Sequence, residues 1–266
     1  MVTFVSCGQG GPKMMDKDTA IQGFTLKGGT MADFYKDGKL KSGTLGADTN
    51  VRGVTLKKGD IVELNENGKI NYATLSNENN VYWFSIPAGG LLSFDDKGKV
   101  NGIKANVPLE VVSNLIVPAG TYISITNYKK IVKEYDKDKE VSATMADYLI
   151  LPEDAEVMGL VYKAGTKVML SESGRPYEGI IAKATDLYNC TVPAGSLVNI
   201  DAPGNGIIII SAPTELRGAT FAAGAEFAFT LFAKVRYVRI TNDSMLLSGK
   251  LQDDISILYF SNKIVQ

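Results

Sequence analysis

Val51-Arg52-Gly53-Val54-Thr55-Leu56, Lys57-Lys58-Gly59-Asp60, Ile61-Val62-Glu63-Leu64, Asn65-Glu66-Asn67-Gly68 and Lys69-Ile70-Asn71-Tyr72-Ala73-Thr74-Leu75 follow one another without a break. Val54 and Leu56, then Val62 and Leu64, stand two residues apart. That is the period of a strand with one buried face, and no helical period competes with it. Each apolar run stops at a turn signal. Gly59 follows two lysines, and Gly68 follows an asparagine. Glycine supplies the left-handed backbone that a tight reversal requires.

The same pattern recurs along the chain. Turn glycines stand at Gly29, Gly59, Gly89, Gly120, Gly165, Gly195 and Gly224, in steps of 30, 30, 31, 45, 30 and 29 residues. A second glycine follows nine residues later at Gly38, Gly68, Gly98, Gly174 and Gly204. Apolar columns keep the same register. Val54 matches Phe24, Phe84, Leu115, Leu160, Cys190 and Ala219; Leu56 matches Leu26, Ile86, Val117, Tyr162, Val192 and Phe221. Three turns read Ile86-Pro87-Ala88-Gly89, Val117-Pro118-Ala119-Gly120 and Val192-Pro193-Ala194-Gly195. Proline pre-sets φ there, and the glycine then suits a type I turn with a bulge. Phosphate cradling is a poorer explanation of these glycines, because no strand–loop–helix context surrounds them.

The sequence therefore predicts an all-β repeat protein of about seven 30-residue units. Read as 51–56, 61–64 and 69–75, each unit holds about three short strands. With an odd number, a flat meander would point successive units in opposite directions. A coil that closes once per unit would instead stack every column on its counterpart. The expectation is a β-solenoid, with stacked antiparallel β-hairpins as the alternative. Val54, Leu56, Val62, Leu64, Ile70 and Leu75 are its predicted inward residues, and Thr55 and Glu63 its outward ones.

Phe34-Tyr35-Lys36-Asp37-Gly38-Lys39-Leu40-Lys41-Ser42-Gly43-Thr44-Leu45 resembles the FYxNGKLKSxTL-type units of bacterial β-repeat proteins, a group with MORN-like and antitoxin-like members. The resemblance spans residues 21 to about 230. It implies a repeat of turn glycines and apolar columns, and a protein that is often exported or lipidated. It brings no catalytic residues with it.

Composition bounds the function. The 266 residues carry 28 basic and 29 acidic side chains, so no basic footprint for nucleic acid or an anionic membrane exists. Histidine is absent, which removes the commonest general base and the Ser-His and Cys-His nucleophile pairs. Of the two cysteines, Cys190 occupies an apolar column and reads as a small buried residue. Cys7, in Val2-Thr3-Phe4-Val5-Ser6-Cys7-Gly8, looks like the lipidated cysteine of a bacterial lipoprotein signal. Residues 1–20 then read as a flexible tether, 21–230 as the repeat domain and 231–266 as a C-terminal β cap.

Uniformity breaks in two places. The step of 45 marks an inserted hairpin at about 127–141, containing Tyr128, Lys129, Lys130 and Tyr135. It is either a binding arm or a solvated hairpin. Trp83, the sole tryptophan, stands beside Tyr82 in a column that holds Gly23, Gly53, Gly159 and Gly218 in other repeats. It either faces outward as a sticky aromatic or fills a gap beside Phe84. A repeat presents uniform faces, so a specific site is expected where uniformity fails, and these residues form the candidate binding surface.

The favoured reading is a non-enzymatic, lipid-anchored or exported envelope protein that scaffolds or binds a protein or surface polysaccharide without a cofactor. A carbohydrate-active β-solenoid using Glu63, Asp95, Asp96 or Glu172 is one alternative. A cytoplasmic antitoxin-like interaction protein is the other.

Overall fold

The computed structural model describes residues 10–134, 137–201, 205–230, 235–240, 245–249 and 255–259. Among these residues the chain is all-β, with a long antiparallel sheet and no α-helix. Among the described residues no helix is long and apolar enough to cross a membrane, which leaves strand-built spans untouched.

One repeat shows how the sequence becomes structure. Thr49–Val51 and Val54–Leu56 pair antiparallel as a small hairpin closed by Arg52-Gly53. Both turn residues have positive φ, 49° at Arg52 and 93° at Gly53. This is the two-residue turn whose twist suits a hairpin. Ile61–Leu64 and Ile70–Thr74 then pair antiparallel within the long sheet. Their turn, Asn65 to Lys69, carries Gly68 at φ 77° and a bulge between Glu63 and Leu64.

Each repeat thus contains four strands, where the sequence reading has three. The run 51–56 is two strands around a turn. Four is even, so successive repeats point the same way within a meander, and the parity argument for a closing coil falls. Ile61–Leu64 pairs with Leu40–Thr44 of the preceding repeat, and Ile70–Thr74 with Leu91–Phe94 of the next, antiparallel in both cases. Equivalent strands of successive repeats lie two places apart and do not pair directly. The hydrogen bonding follows the stacked antiparallel hairpins held as the alternative, and the three-strand coil is corrected. One repeat advances the sheet by about 10 Å, two strand spacings.

The core lies between the sheet and the small hairpins. Leu56, Val62, Leu64, Ile70 and Leu75 are all at most 6% exposed, as is Val54, while Glu63 faces solvent. Leu26 of one small hairpin sits over Gly43 of the sheet, whose added Cβ would meet Leu26 Cδ2 at 2.9 Å. Tyr162 covers Gly179 in the same way at 2.7 Å. Residues 17 apart along the chain therefore trade volume across the two layers.

The chain forms two compact bodies, one holding the residues up to Val111 with Ala119–Ala146, the other Val112–Pro118 with the residues from Asp147 on. In the second body one cluster joins Cys190, Val192 and Phe221 of the small hairpins to Val198, Ile208, Phe227 and Val238 of the sheet.

The boundaries shift from those expected. Gly11–Met14 pairs with Met31–Phe34, and Thr19–Ile21 with Phe24–Leu26. Half of the segment read as a tether thus belongs to the first repeat. At the other end Val235–Ile240 extends the sheet antiparallel to Glu226–Phe229. Ser256–Tyr259 then adds parallel, the one parallel pairing among the described strands.

Candidate functional site

The turn of each small hairpin is an apex, and its first residue lies against the sheet hairpins. Gln22 Oε1 accepts the backbone N–H of Leu40 at 2.5 Å, while its Nε2 lies 2.9 Å from where a Cβ on Gly68 would be. Tyr82, the equivalent residue two repeats on, takes φ 55°. Its hydroxyl donates to the Val100 carbonyl at 3.2 Å and is hydrogen-bonded by the Asn127 side chain. Burial pushes the Tyr82 phenol above its usual range; the Asn127 bond opposes that shift and nearby Asp95 adds to it.

Trp83 follows at the tightest position of the turn. The glycines in its column have φ of 85° to 93°. Trp83 does not share that positive φ, so the turn has reshaped around the indole. Its Nε1–H donates to the Val111 carbonyl of the next small hairpin at 3.0 Å. Its ring lies 4.9 Å from Phe84, tilted by 31°, and 6.2 Å from Tyr82. Tyr82 is 41% and Trp83 47% exposed. Both rings have their polar ends tied to backbone carbonyls while much of each surface meets solvent. Trp83 is thus an outward aromatic that also leans on Phe84, and the two sequence readings of it merge.

The inserted hairpin consists of strands Tyr122–Glu134 and Lys137–Ile150. Tyr122 to Ser124 still pair with Val100–Lys104, and Tyr148 to Ile150 with Lys167–Leu170. Beyond those pairings the two arms have, among the described residues, only each other as sheet neighbours. Lys129 binds Glu140 at 2.5 Å and Lys139 binds Glu134 at 2.6 Å, all exposed. At the base Thr144 Oγ1 donates to Asn127 Oδ1 at 3.0 Å.

Strand alternation sorts the candidate residues. Ile123 and Ile125 are buried toward the small hairpins, so Asn127 and Lys129 continue that face. Tyr128 and Lys130 fall on the opposite one. The structure therefore joins Tyr82 and Trp83 to the insert through Asn127, which the sequence reading did not single out. It separates them from Tyr128 and Lys130. Tyr135 and Cys7 lie outside the described residues. Asn127 was visible in sequence only as the first residue of the insert.

The carboxylates considered for glycan cleavage sit in ordinary positions. Asp95 Oδ1 accepts the backbone N–H groups of Lys97 and Lys99 at 2.9 and 2.8 Å, closing its own turn. Glu63 stands between Ser42 and Tyr72 on the outer sheet face. Asp96 and Glu172 are exposed. Cys190 is buried, its Sγ 3.6 Å from the Glu215 carbonyl. Burial, with a smaller contribution from Asp186, pushes its thiol up to about 11. No protein family, curated protein or solved structure matches this chain.

Proposed function

We propose that this chain is a non-enzymatic binding protein of the bacterial cell envelope, and that it holds a surface polysaccharide against the Tyr82–Trp83 apex. The observation that carries the reading is the pair of half-exposed rings whose polar ends are bound to the Val100 and Val111 carbonyls. An aromatic fixed in this way offers apolar surface to a ligand ring at little cost in side-chain freedom. The surrounding repeat supplies a rigid frame. The envelope assignment rests on the likeness of the residues around Cys7 to a lipoprotein signal. It rests also on the resemblance of residues 34–45 to units of exported β-repeat proteins.

Trp83 is the only tryptophan, so it reports its own site. Titration with cell-surface polysaccharides is expected to shift its emission, and Trp83→Ala is expected to weaken binding at least tenfold. A tenfold loss corresponds to about 1.4 kcal/mol. An unchanged emission across a panel of surface glycans, with protein captured instead, moves the site to a protein partner. Fractionation of cells making the full natural N-terminus tests the anchor separately. The protein is expected in the membrane fraction, and Cys7→Ser is expected to release it.

A further inference from the structure

We infer that a second site lies one repeat before the aromatic apex: a groove around Arg52 that takes an oxyanion, a carboxylate or a phosphate. The groove has a volume of about 690 Å³ and runs between the Gln22 and Arg52 apices and the sheet turns that hold Lys69 and Asp96 to Gly98. The observation behind it is a broken pattern. Gln22 and Tyr82 fold their polar heads back onto the sheet, at Leu40 N and Val100 O. The counterpart for Arg52 is the backbone of Ile70, thirty residues from each of those. Arg52 makes no bond to it, nor any hydrogen bond or ion pair among the described residues. Its stem instead lies over Gly98, with Cγ 3.4 Å from where a Cβ would stand. That glycine leaves room for the arginine to pass along the groove.

The surrounding charge favours an anion. Lys69 Nζ donates to the Asp96 carbonyl at 2.9 Å and keeps two further protons. Lys97 is exposed, with no ion pair among the described residues. Against these three cations the lining holds one carboxylate, Asp96, leaving an excess of two positive charges. A guanidinium presents a planar fork of donors that matches a carboxylate or phosphate in a bidentate manner. The apex holds Arg52 at φ 49°, as it holds Gln22 at 49° and Tyr82 at 55°, so the turn accepts different side chains from repeat to repeat.

Calorimetric titration at low salt, with inorganic phosphate in one arm and a galacturonate oligomer in the other, tests the site. Arg52→Asn is the decisive variant, because asparagine accepts the positive φ and keeps the hairpin. Wild type is expected to bind at least one of the two probes, and the stronger names the source of the oxyanion. Arg52→Asn is expected to lose at least tenfold in affinity with an unchanged melting temperature. Lys97→Ala is expected to lose about threefold, and binding is expected to weaken as salt rises. Failure of wild type to bind either probe overturns the proposal, as does Arg52→Asn binding as wild type does. The Trp83→Ala protein is expected to bind both probes normally, so this site and the aromatic one fail or stand independently.

Discussion

Asp60 is fully buried and has every reason to be expensive, yet its carboxylate is bonded at both oxygens. Oδ2 accepts the Lys57 N–H at 2.7 Å; Oδ1 accepts the N–H and the hydroxyl of Ser76, each at 2.8 Å. Ser196, at the matching position of a later repeat, accepts the Ser211 N–H at 3.0 Å, and Pro193 in the place of Lys57 has no N–H to satisfy. Removing the acceptor leaves two backbone donors dry. Asp60→Ala is therefore expected to destabilise by about 2–4 kcal/mol in chemical denaturation, while Asp60→Ser, which can still accept the Ser76 N–H, loses about half of that. Equal losses would show that charge, not hydrogen bonding, is what the turn uses. Cys190 gives a second residue-scale test. Its thiol is buried and its ionisation is pushed up to about 11. In a Cys7→Ser background the folded protein is expected to leave Ellman's reagent unreacted at pH 8, and to release one equivalent on unfolding.

At the scale of elements, the inserted hairpin departs from the rest. The pair Ile61–Leu64 and Ile70–Thr74, by contrast, has a small hairpin over the face that buries Val62 and Leu64 and neighbouring strands along both edges. The distal arms of Tyr122–Glu134 and Lys137–Ile150 have neither, and Ile131 is 70% exposed. Two strands alone are marginal in water. The exposed Lys129–Glu140 and Lys139–Glu134 pairs add little, about 0–1 kcal/mol each and less at high salt. Replacing residues 129–139 with the turn Asn65-Glu66-Asn67-Gly68 is accordingly expected to lower the melting temperature by no more than a few degrees. Asn127 and Thr144 stay in place in that variant, so Trp83 emission is expected to be unchanged. A change in emission would show that the arms, and not only their base, shape the aromatic apex.

For the molecule as a whole, the alkaline limit is set by buried acids. Burial pushes Tyr162 up from 10.0 to about 12, and Cys190 up from 9.0 to about 11. In both cases the folded state favours the protonated form. The stability these groups contribute is complete below their unfolded values and is lost as pH rises through the folded ones. The melting temperature is expected to hold to about pH 9 and fall between there and pH 12. Tyr162→Phe is expected to flatten that fall, since a phenyl ring keeps the packing over Gly179 without the ionisation. A profile unaltered by Tyr162→Phe would place the alkaline transition elsewhere.

The sequence by itself determined the all-β class, the 30-residue register, the buried columns and the site of the insert. It could do so because each of these follows from local chemistry repeated many times. Period-two apolar residues must bury one face, and glycine must occupy positive φ. What it left open was how many strands a repeat holds. Arg52-Gly53 reads as a pause within one strand or as a turn between two, and only pairing Thr49–Val51 with Val54–Leu56 separates them. A glycine three residues before the end of each such run, repeated at Gly23, Gly159 and Gly218, was the signal available. The candidate surface divides in the same way. The irregularity of Trp83 was plain in sequence. That its neighbour Tyr82 reaches Asn127, while Tyr128 turns to the other face, depends on which strands lie beside which. No residue's own chemistry fixes that, and the packing of hairpins against the sheet decides it.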